Sequence, residues 1–196
     1  SSGPQSSPTA DHTFADPGTY TITVTVTDTA SQSTSVEQDV AVSASHPNLL
    51  PNADFDSGTT GWGPVGRSSV VTPGSNAHSG TRGADVSNGG DAPATCGIET
   101  QPDAVTTTQA TTYEGSLWAR SDTPGASLKL RFRELEGSFV VGTKVRTLAL
   151  STTWQRVTVR DAPVEPGVSS LNLRAYVTDA APGACFSVDD ASIRST

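Results

Sequence analysis

Four aspartates in this sequence have the type and spacing that suit metal chemistry. Asp54 and Asp56 stand two apart in the segment NLLPNADFDSGTTGW, so in an extended strand both would leave one face while Phe55 enters a core. Asp189 and Asp190 lie in the segment FSVDDASI near the other end of the chain. Ca²⁺ prefers about six to eight oxygen ligands, several of them carboxylates. We therefore predict a calcium site where the first and last strands of one domain meet.

The neighbours of these aspartates limit which of them can bind an ion. Because Asp189 and Asp190 are adjacent, they face opposite sides of a strand, and only one can point at the ion. The turn at Ser79 and Gly80 offers backbone carbonyls as further ligands. The alternative is that the aspartates are solvated turn carboxylates that hold no metal.

A second group of side chains suits sugar binding. In segments 128–135, 154–160 and 171–177, apolar residues at every second position define inward faces, and the outward faces are rich in arginine. An aromatic ring stacks on the apolar face of a sugar, and arginine matches a carboxylate with two parallel hydrogen bonds. We therefore predict a binding face for an acidic, uronic-acid polysaccharide. It consists of Tyr176 as the platform, with Arg174, Asn172, Arg131 and Arg133.

Two alternatives concern the acidic residues near these arginines. The arginines could instead pair with Glu134, Glu136 and Asp161 on solvated faces. Glu134 and Glu136 also stand two apart, as the paired carboxylates of a glycosidase would, but at a hairpin end we expect solvated charges. No nucleophile, phosphate-loop or catalytic zinc motif occurs in the sequence. The sequence therefore predicts a protein that is not an enzyme.

Composition narrows the fold class and the partners. The 196 residues carry a formal charge of −8, and their hydrophobic fraction of 34% is ordinary for a thin β-sandwich. No long run has helical periodicity, so we predict an all-β protein. The acidic balance disfavours nucleic acid, and no apolar run is long enough to cross a bilayer.

The two cysteines, Cys96 and Cys185, fit no zinc spacing, because the three histidines are scattered. In a secreted protein a single disulfide is the favoured interpretation, and two buried free thiols are the alternative.

The N-terminal segment contains a strand with strict alternation. Tyr20, Ile22, Val24 and Val26 share one face of the segment TYTITVTVTD, which predicts a half-buried strand followed by a second one. The stretch HTFADPGTYTITVTVTDTASQSTSVEQDVAVS resembles the C-terminal half of a PKD domain, an immunoglobulin-like β-sandwich used as a spacer. The upstream strands of that domain are absent. We predict a partial PKD-like segment at residues 1–43 and a linker at 44–47.

The remainder, residues 48–196, resembles a second family. The segments NLLPNADFDSGTTGW, HSGTRGADV, YEGSLWARSDTPGASLKLRF, TTWQRVTV and FSVDDASI stand in the order found in carbohydrate-binding modules with the galactose-binding-like jelly-roll fold, the type attached to xylanases. At least eight strand signals agree with a jelly roll.

The resemblance assigns roles to several residues. It places Asp56 and Asp190 where such modules carry calcium ligands. The spacing of Asp54 and the turn at Ser79 add these two residues to the predicted metal set. Trp62 and Trp154 are expected in the core or at its rim, and Trp118 is a minor candidate for ligand stacking.

The resemblance also implies a function. We expect a secreted, extracellular, monomeric, non-catalytic module that carries structural calcium and targets a tethered catalytic domain to its polysaccharide. The alternative is a calcium-stabilised structural or adhesive spacer of a cell-surface protein.

Overall fold

Strands form all the regular structure described. The computed structural model describes residues 18–42, 46–101, 105–108 and 111–196, which contain thirteen strands and no helix. The chain divides into two compact units, Ser1–His46 and Pro47–Thr196. Among the described residues no helix is long and apolar enough to cross a membrane.

The N-terminal unit contains one antiparallel hairpin. Strands β1 (Gly18–Thr27) and β2 (Ser33–Val42) pair so that Val24 lies opposite Val36, and threonine and serine hydroxyls bond across the other face. The predicted strands are confirmed, but half-burial is wrong, since Ile22 and Val24 are 39% and 57% exposed. The two strands described in this unit supply no opposing layer for these side chains. The predicted segment before Gly18 and linker residues 44 and 45 lie outside the described residues.

The C-terminal unit is a sandwich of two antiparallel sheets, as predicted for a jelly roll. The front sheet has the strand order β10-β9-β12-β6-β3, with β7 also paired to β12, and the back sheet has the order β11-β8-β13-β5-β4. The bounds are β3 Trp62–Pro64, β4 Ser69–Gly74, β5 Gly83–Asn88, β6 Ala94–Thr100, β7 Val105–Thr106, β8 Tyr113–Arg120, β9 Ser127–Glu136, β10 Phe139–Ala149, β11 Gln155–Asp161, β12 Ser170–Ala180 and β13 Gly183–Ser195.

The core lies between these sheets. Alternate residues of β9 and β12 are fully buried, including Leu130, Phe132 and Leu173, as the sequence pattern predicts. On the facing strand β8, a Cβ at Gly115 would lie 2.5 Å from the Phe132 ring, so this glycine makes room for the ring between the sheets. This packing decides which residues of β9 and β12 face outward.

Strand β6 was not predicted. Cys96 and Ile98 are buried on one face, while Glu99 points to the other. Alanine, threonine and glycine dilute the apolar signal of the segment ATCGIET, although its alternation is regular. This strand brings Glu99 beside β12.

The predicted disulfide is confirmed. Cys96 of β6 and Cys185 of β13 are bonded, with 6.6 Å between their Cα atoms, and so join the front sheet to the back sheet. The bond closes a loop with a sequence separation of 89 residues. In the chain-entropy account, closing a loop of this length restricts the unfolded chain strongly.

We predict that the double variant Cys96→Ala/Cys185→Ala loses about 2–4 kcal/mol of unfolding free energy. Urea unfolding of both proteins measures the difference, and unfolding of the wild type with reductant provides an independent comparison. Equal midpoints for the oxidised wild type and the double variant would contradict the prediction.

Glu134 differs from the expectation of a solvated charge. Its carboxylate is fully buried and accepts hydrogen bonds from the Val164 N–H (2.7 Å), the Glu165 N–H (2.8 Å) and the Ser169 hydroxyl (2.7 Å). A register shift opposite Glu134, between Val140 and Gly142, interrupts the regular pairing there. Burial acts to raise the pKa of Glu134, but these three donors outweigh it and lower the pKa. Glu134 fixes a loop and is not poised as a general acid.

We predict that Glu134→Gln destabilises the protein by about 1–3 kcal/mol at neutral pH, because the amide NH₂ would oppose one backbone N–H. The folded-state pKa lies below the unfolded value of about 4.3, so the stabilisation is complete above that pH and is lost as pH falls through the folded-state pKa. The melting temperatures of the wild type and of Glu134→Gln, measured from pH 7 to pH 3, should therefore converge at the acid end.

The matched control for this measurement is Glu136→Gln, because Glu136 is exposed two residues further along β9. Its melting curve should follow the wild type throughout. A Glu134→Gln difference that stays constant down to pH 3 would show that charge is not involved.

Candidate functional site

The strand register places four of the predicted sugar-binding residues on the outer face of the front sheet. Arg174 of β12 lies between Arg131 of β9 and Glu99 of β6, and Tyr176 lies between Lys129 and Gly97. A Cβ at Gly97 would lie 2.6 Å from the Tyr176 Cβ, so the glycine leaves space beside the ring. We call this surface the arginine face. It consists of Glu99, Lys129, Arg131, Arg133, Arg174 and Tyr176.

Glu99 organises two of the arginines. Its Oε2 accepts hydrogen bonds from Arg174 Nε (2.9 Å) and Nη2 (2.6 Å) and from Arg133 Nη2 (2.8 Å). The three side chains are between 13% and 20% exposed. Glu99 is not among the partners predicted from the sequence, Glu134, Glu136 and Asp161, because the strand that carries it, β6, was not predicted. Both arginines are thus bonded to the same carboxylate oxygen.

Asn172 is a correction to the predicted ligand-binding set. It is only 1% exposed. Its amide nitrogen donates to the Thr100 carbonyl (2.8 Å), and its Oδ1 accepts from Arg133 Nε (3.1 Å). Both ends of the carboxamide are therefore used within the sheet, so Asn172 positions Arg133.

Arg131 differs from the other two arginines. Its guanidinium carbon lies 5.2 Å from the centroid of the Tyr176 ring, and the Lys129 ammonium lies 5.8 Å from the same centroid. Arg131 Nε is buried and has no hydrogen-bond partner among the described residues. On the arginine face, four cations stand against the single carboxylate of Glu99. The face is therefore locally positive in a chain whose formal charge is −8.

Trp118, the minor candidate for ligand stacking, lies on the other sheet from Tyr176 and the arginines. It belongs to β8 of the back sheet, where it pairs with Arg156 of β11 and Asp189 of β13. The His78 ring stacks on it at 3.8 Å between centroids. Trp118 therefore cannot contribute to the arginine face.

The other two tryptophans lie at different depths. Trp62 is buried, and its ring centroid is 5.0 Å from that of Phe55. Trp154 is half-buried and meets His78 edge-on at 5.9 Å.

The segment around Asp54 and Asp56 folds differently from the prediction. Residues 51–57 make successive turns instead of an extended strand, and Phe55 has a left-handed φ of 55°. Phe55 is nevertheless fully buried, as predicted. The Oδ1 atom of Asp54 accepts the Asp56 N–H at 3.2 Å. Turn geometry, not strand parity, decides where these two carboxylates point.

Asp56 is bonded to the segment that follows Gly80. Its Oδ1 accepts from the Thr81 N–H (2.6 Å), the Thr81 hydroxyl (2.9 Å) and the Arg82 N–H (2.9 Å). The pKa of Asp56 is lowered by the hydrogen bonds from the Thr81 N–H, the Thr81 hydroxyl and the Arg82 N–H. Gly80 has a φ of +64°, and a Cβ there would collide with the Asp56 carboxylate.

Asp189 and Asp190 bond to His78 and Ser79, the two residues before Gly80. Asp189 is fully buried and accepts from the N–H groups of His78 (2.7 Å) and Ser79 (3.1 Å). Burial raises the pKa of Asp189, and these donors act in the opposite direction. Asp190 lies 2.6 Å from His78 Nδ1 and accepts the Ser79 hydroxyl at 2.8 Å. Asp56, Ser79 and Asp190 thus meet at one segment.

This corner fits calcium in part. The atoms that could bind an ion here are carboxylate and hydroxyl oxygens, which are the ligands that a hard cation prefers. Within the described ranges, no group of three or more His, Cys, Asp or Glu side chains is arranged to hold a metal. An ion here would therefore need backbone carbonyls or water beside Asp56 and Asp190.

An aromatic ring among polar groups on a sheet face suits the binding of a sugar, because the ring can stack on an apolar sugar face while the polar groups fix its orientation. The sequence model described as "Carbohydrate binding domain" matches residues 47–178, and the chain belongs to that family, whose members are non-catalytic binding modules. The model described as "PKD domain" matches residues 1–40. No curated protein matches the sequence.

Solved structures share the fold. The CBM22-1 xylan-binding domain from Paenibacillus barcinonensis has a TM-score of 0.58 and 23% identity, over 79% of this chain and 97% of that one. The second family 16 carbohydrate-binding module has a TM-score of 0.55 and 21% identity, over 74% and 99%. An arabinose-bound α-L-arabinofuranosidase has a TM-score of 0.60 and 16% identity, over 76% of this chain. This chain spans about a quarter of that enzyme, 26%.

Proposed function

We propose that the arginine face binds an acidic polysaccharide. The observation that carries the proposal is the excess of positive charge on this face of an acidic chain, together with the buried Arg131 Nε that no described residue satisfies. A carboxylate of a uronic acid can accept from that guanidinium. A neutral glycan would supply no compensating charge.

Tyr176 and Arg131 have complementary tasks in this proposal. The Tyr176 ring provides an apolar surface for a sugar ring, while Arg131 at 5.2 Å stands where a carboxylate substituent can pair with it. Glu99 already pairs with Arg133 and Arg174 and holds their guanidinium groups in fixed orientations. Fixed donors lose less conformational entropy when the ligand binds.

The proposed role of binding is targeting. Attachment to the polymer raises the effective concentration of a tethered catalytic domain at its substrate. Two observations support this role. A structure from Clostridium thermocellum, described as the CBM22-1 and GH10 modules of an endo-1,4-β-D-xylanase complexed with xylohexaose, shares the fold, with a TM-score of 0.59 and 18% identity over 77% of this chain and 29% of that one. The disulfide agrees with a secreted protein.

We predict that the full chain is retained by a polygalacturonate or alginate gel and that added salt weakens the retention. Arg131→Ala should weaken binding about tenfold or more, because one charge-assisted pair is lost, and Tyr176→Ala should do the same by removing the platform. Affinity electrophoresis measures both.

The control is Arg146→Ala, an exposed arginine of β10 on the opposite face of its strand from the residue that pairs with Arg131. It removes the same charge and should bind like the wild type. Retention only by neutral xylan or glucan would refute the acidic ligand. Failure to bind any glycan would favour a structural spacer.

We also infer that the corner formed by Asp56, Ser79 and Asp190 holds Ca²⁺ as a structural ion. Support comes from the oxygen donors that converge on the turn at Gly80. Bound calcium would stabilise only the folded state, by about 2.7 kcal/mol at a concentration of 100 times its Kd.

We predict that a chelator lowers the melting temperature of the wild type and that calcium restores it. Asp56→Ala should melt at one temperature with or without calcium. Asp91→Ala, which changes an exposed aspartate in another loop, should retain the calcium response. A wild type insensitive to chelation would leave the corner as a hydrogen-bonded turn without metal.

A further inference from the structure

We propose that the protein has a second carbohydrate site, on the back sheet, which takes a neutral oligosaccharide. It is separate from the arginine face because it is built from β8, β11 and β13 and the turns at 48–54. The inference rests on membership of the carbohydrate-binding family and not on the acidic ligand proposed for the front sheet.

An open cavity of about 450 Å³ marks this site. This volume falls within the range of about 300–1,000 Å³ that is usual for small-molecule pockets. The lining combines one aromatic ring with amide, hydroxyl and charged groups. It includes Asn52, Asp54, Trp118, Arg156, Asp190 and Arg194.

Trp118 is a rigid aromatic surface in this lining. The His78 ring lies nearly parallel to it, with centroids 3.8 Å apart and planes 15° apart. His78 does not line the cavity, and Asp190 fixes it through Nδ1 at 2.6 Å. The indole is therefore held from outside the cavity. A ring that is already immobilised stacks on a sugar with little further loss of entropy.

Asn52 offers an unused acceptor in the same lining. Its amide nitrogen donates to the carbonyls of Gly58 (2.8 Å) and Thr60 (3.0 Å), which fixes the carboxamide. Its Oδ1 is buried and has no partner within the described ranges. Buried polar atoms in native proteins usually find a partner, and a sugar hydroxyl is a suitable donor.

The backbone around the cavity is irregular at two lining residues. Asn52 and Asp190 both have left-handed φ values, 46° and 44°, a conformation that asparagine and aspartate adopt more readily than other non-glycine residues. The pairing of β13 with β8 also shifts register between Asp189 and Ser192. Such bulges redirect side chains and cluster beside functional sites.

Charge decides which ligand this cavity takes. Two aspartates and two arginines line it, so their charges balance. Arg156 is further occupied by Glu114 at 3.3 Å and by the Ser116 hydroxyl at 3.0 Å. The arginine face carries an excess of cations, whereas this cavity offers paired charges and hydrogen-bonding groups. A neutral sugar matches the second arrangement better than a uronate.

The test is a titration of the full chain, in calcium buffer, with xylohexaose, cellohexaose and mannohexaose. Nuclear magnetic resonance follows the indole N–H signals of the tryptophans and the side-chain amide of Asn52. The Tyr176→Ala variant is used, so that the arginine face lacks its platform. We expect at least one neutral hexasaccharide to shift the signals of Trp118 and Asn52.

Variants then assign the site. Trp118→Ala should weaken that binding about tenfold or more, and Arg156→Ala, at an exposed residue of the lining, should weaken it without loss of fold. Arg146→Ala should leave it unchanged. Trp118→Ala in the wild-type background should still bind an acidic polymer, which separates this proposal from the previous one.

Three outcomes would overturn the second site. Neutral sugars that leave the Trp118 and Asn52 signals unmoved would do so. Shifts confined to the region of Tyr176 in the wild type would place all binding on the front sheet. Neutral binding that survives both Trp118→Ala and Arg156→Ala would place the ligand elsewhere.

Discussion

The contact between the inward faces of the two sheets is the constraint on which the rest of the C-terminal unit depends. Phe132 reaches across the core to Gly115, where no Cβ obstructs it, and the leucines of β9 and β12 fill the space beside it. A one-residue slip of β9 or β12 would expose this layer, so the register is fixed. The outward residues then have no freedom in where they appear. Arg131, Arg174 and Tyr176 share a face because their neighbours are buried.

Carboxylates perform three different tasks in this fold, according to what they meet. Glu134 and Asp189 are fully buried, and each accepts backbone N–H groups from a loop that it fixes. Glu99 remains partly exposed and pairs with two arginines. Hydrogen bonds outweigh desolvation at Glu134, where the pKa falls, and desolvation dominates at Asp189, where it rises. Asp56 is exposed and joins two turns.

The two outer faces of the sandwich differ in electrostatics although strand alternation builds both. On the front sheet the cations of two adjacent strands, β9 and β12, share a face with a single carboxylate on β6, and Arg131 keeps a buried nitrogen that no described residue satisfies. On the back sheet Arg156 and Arg160 share Glu114, and the cavity lining is balanced. The charge difference between the faces therefore depends on which strands are neighbours, since arginines occur on both faces.

Local pattern was sufficient for the strand class and for the inward and outward sides of most strands. It predicted the all-β sandwich, the buried set on β9 and β12, the disulfide and the outward direction of Arg131, Arg133, Arg174 and Tyr176, which the pairing of β9 with β12 then brings together. It missed β6, and with it Glu99, because the apolar signal of that strand is weak. Only the tertiary structure decided that Trp118 lies on the opposite sheet, that Glu134 is buried and that Asn172 is used within the sheet. The physical reason is that alternation gives the side of a strand but not its partner. Sheet order and turn geometry, which bring distant residues together, set each partner.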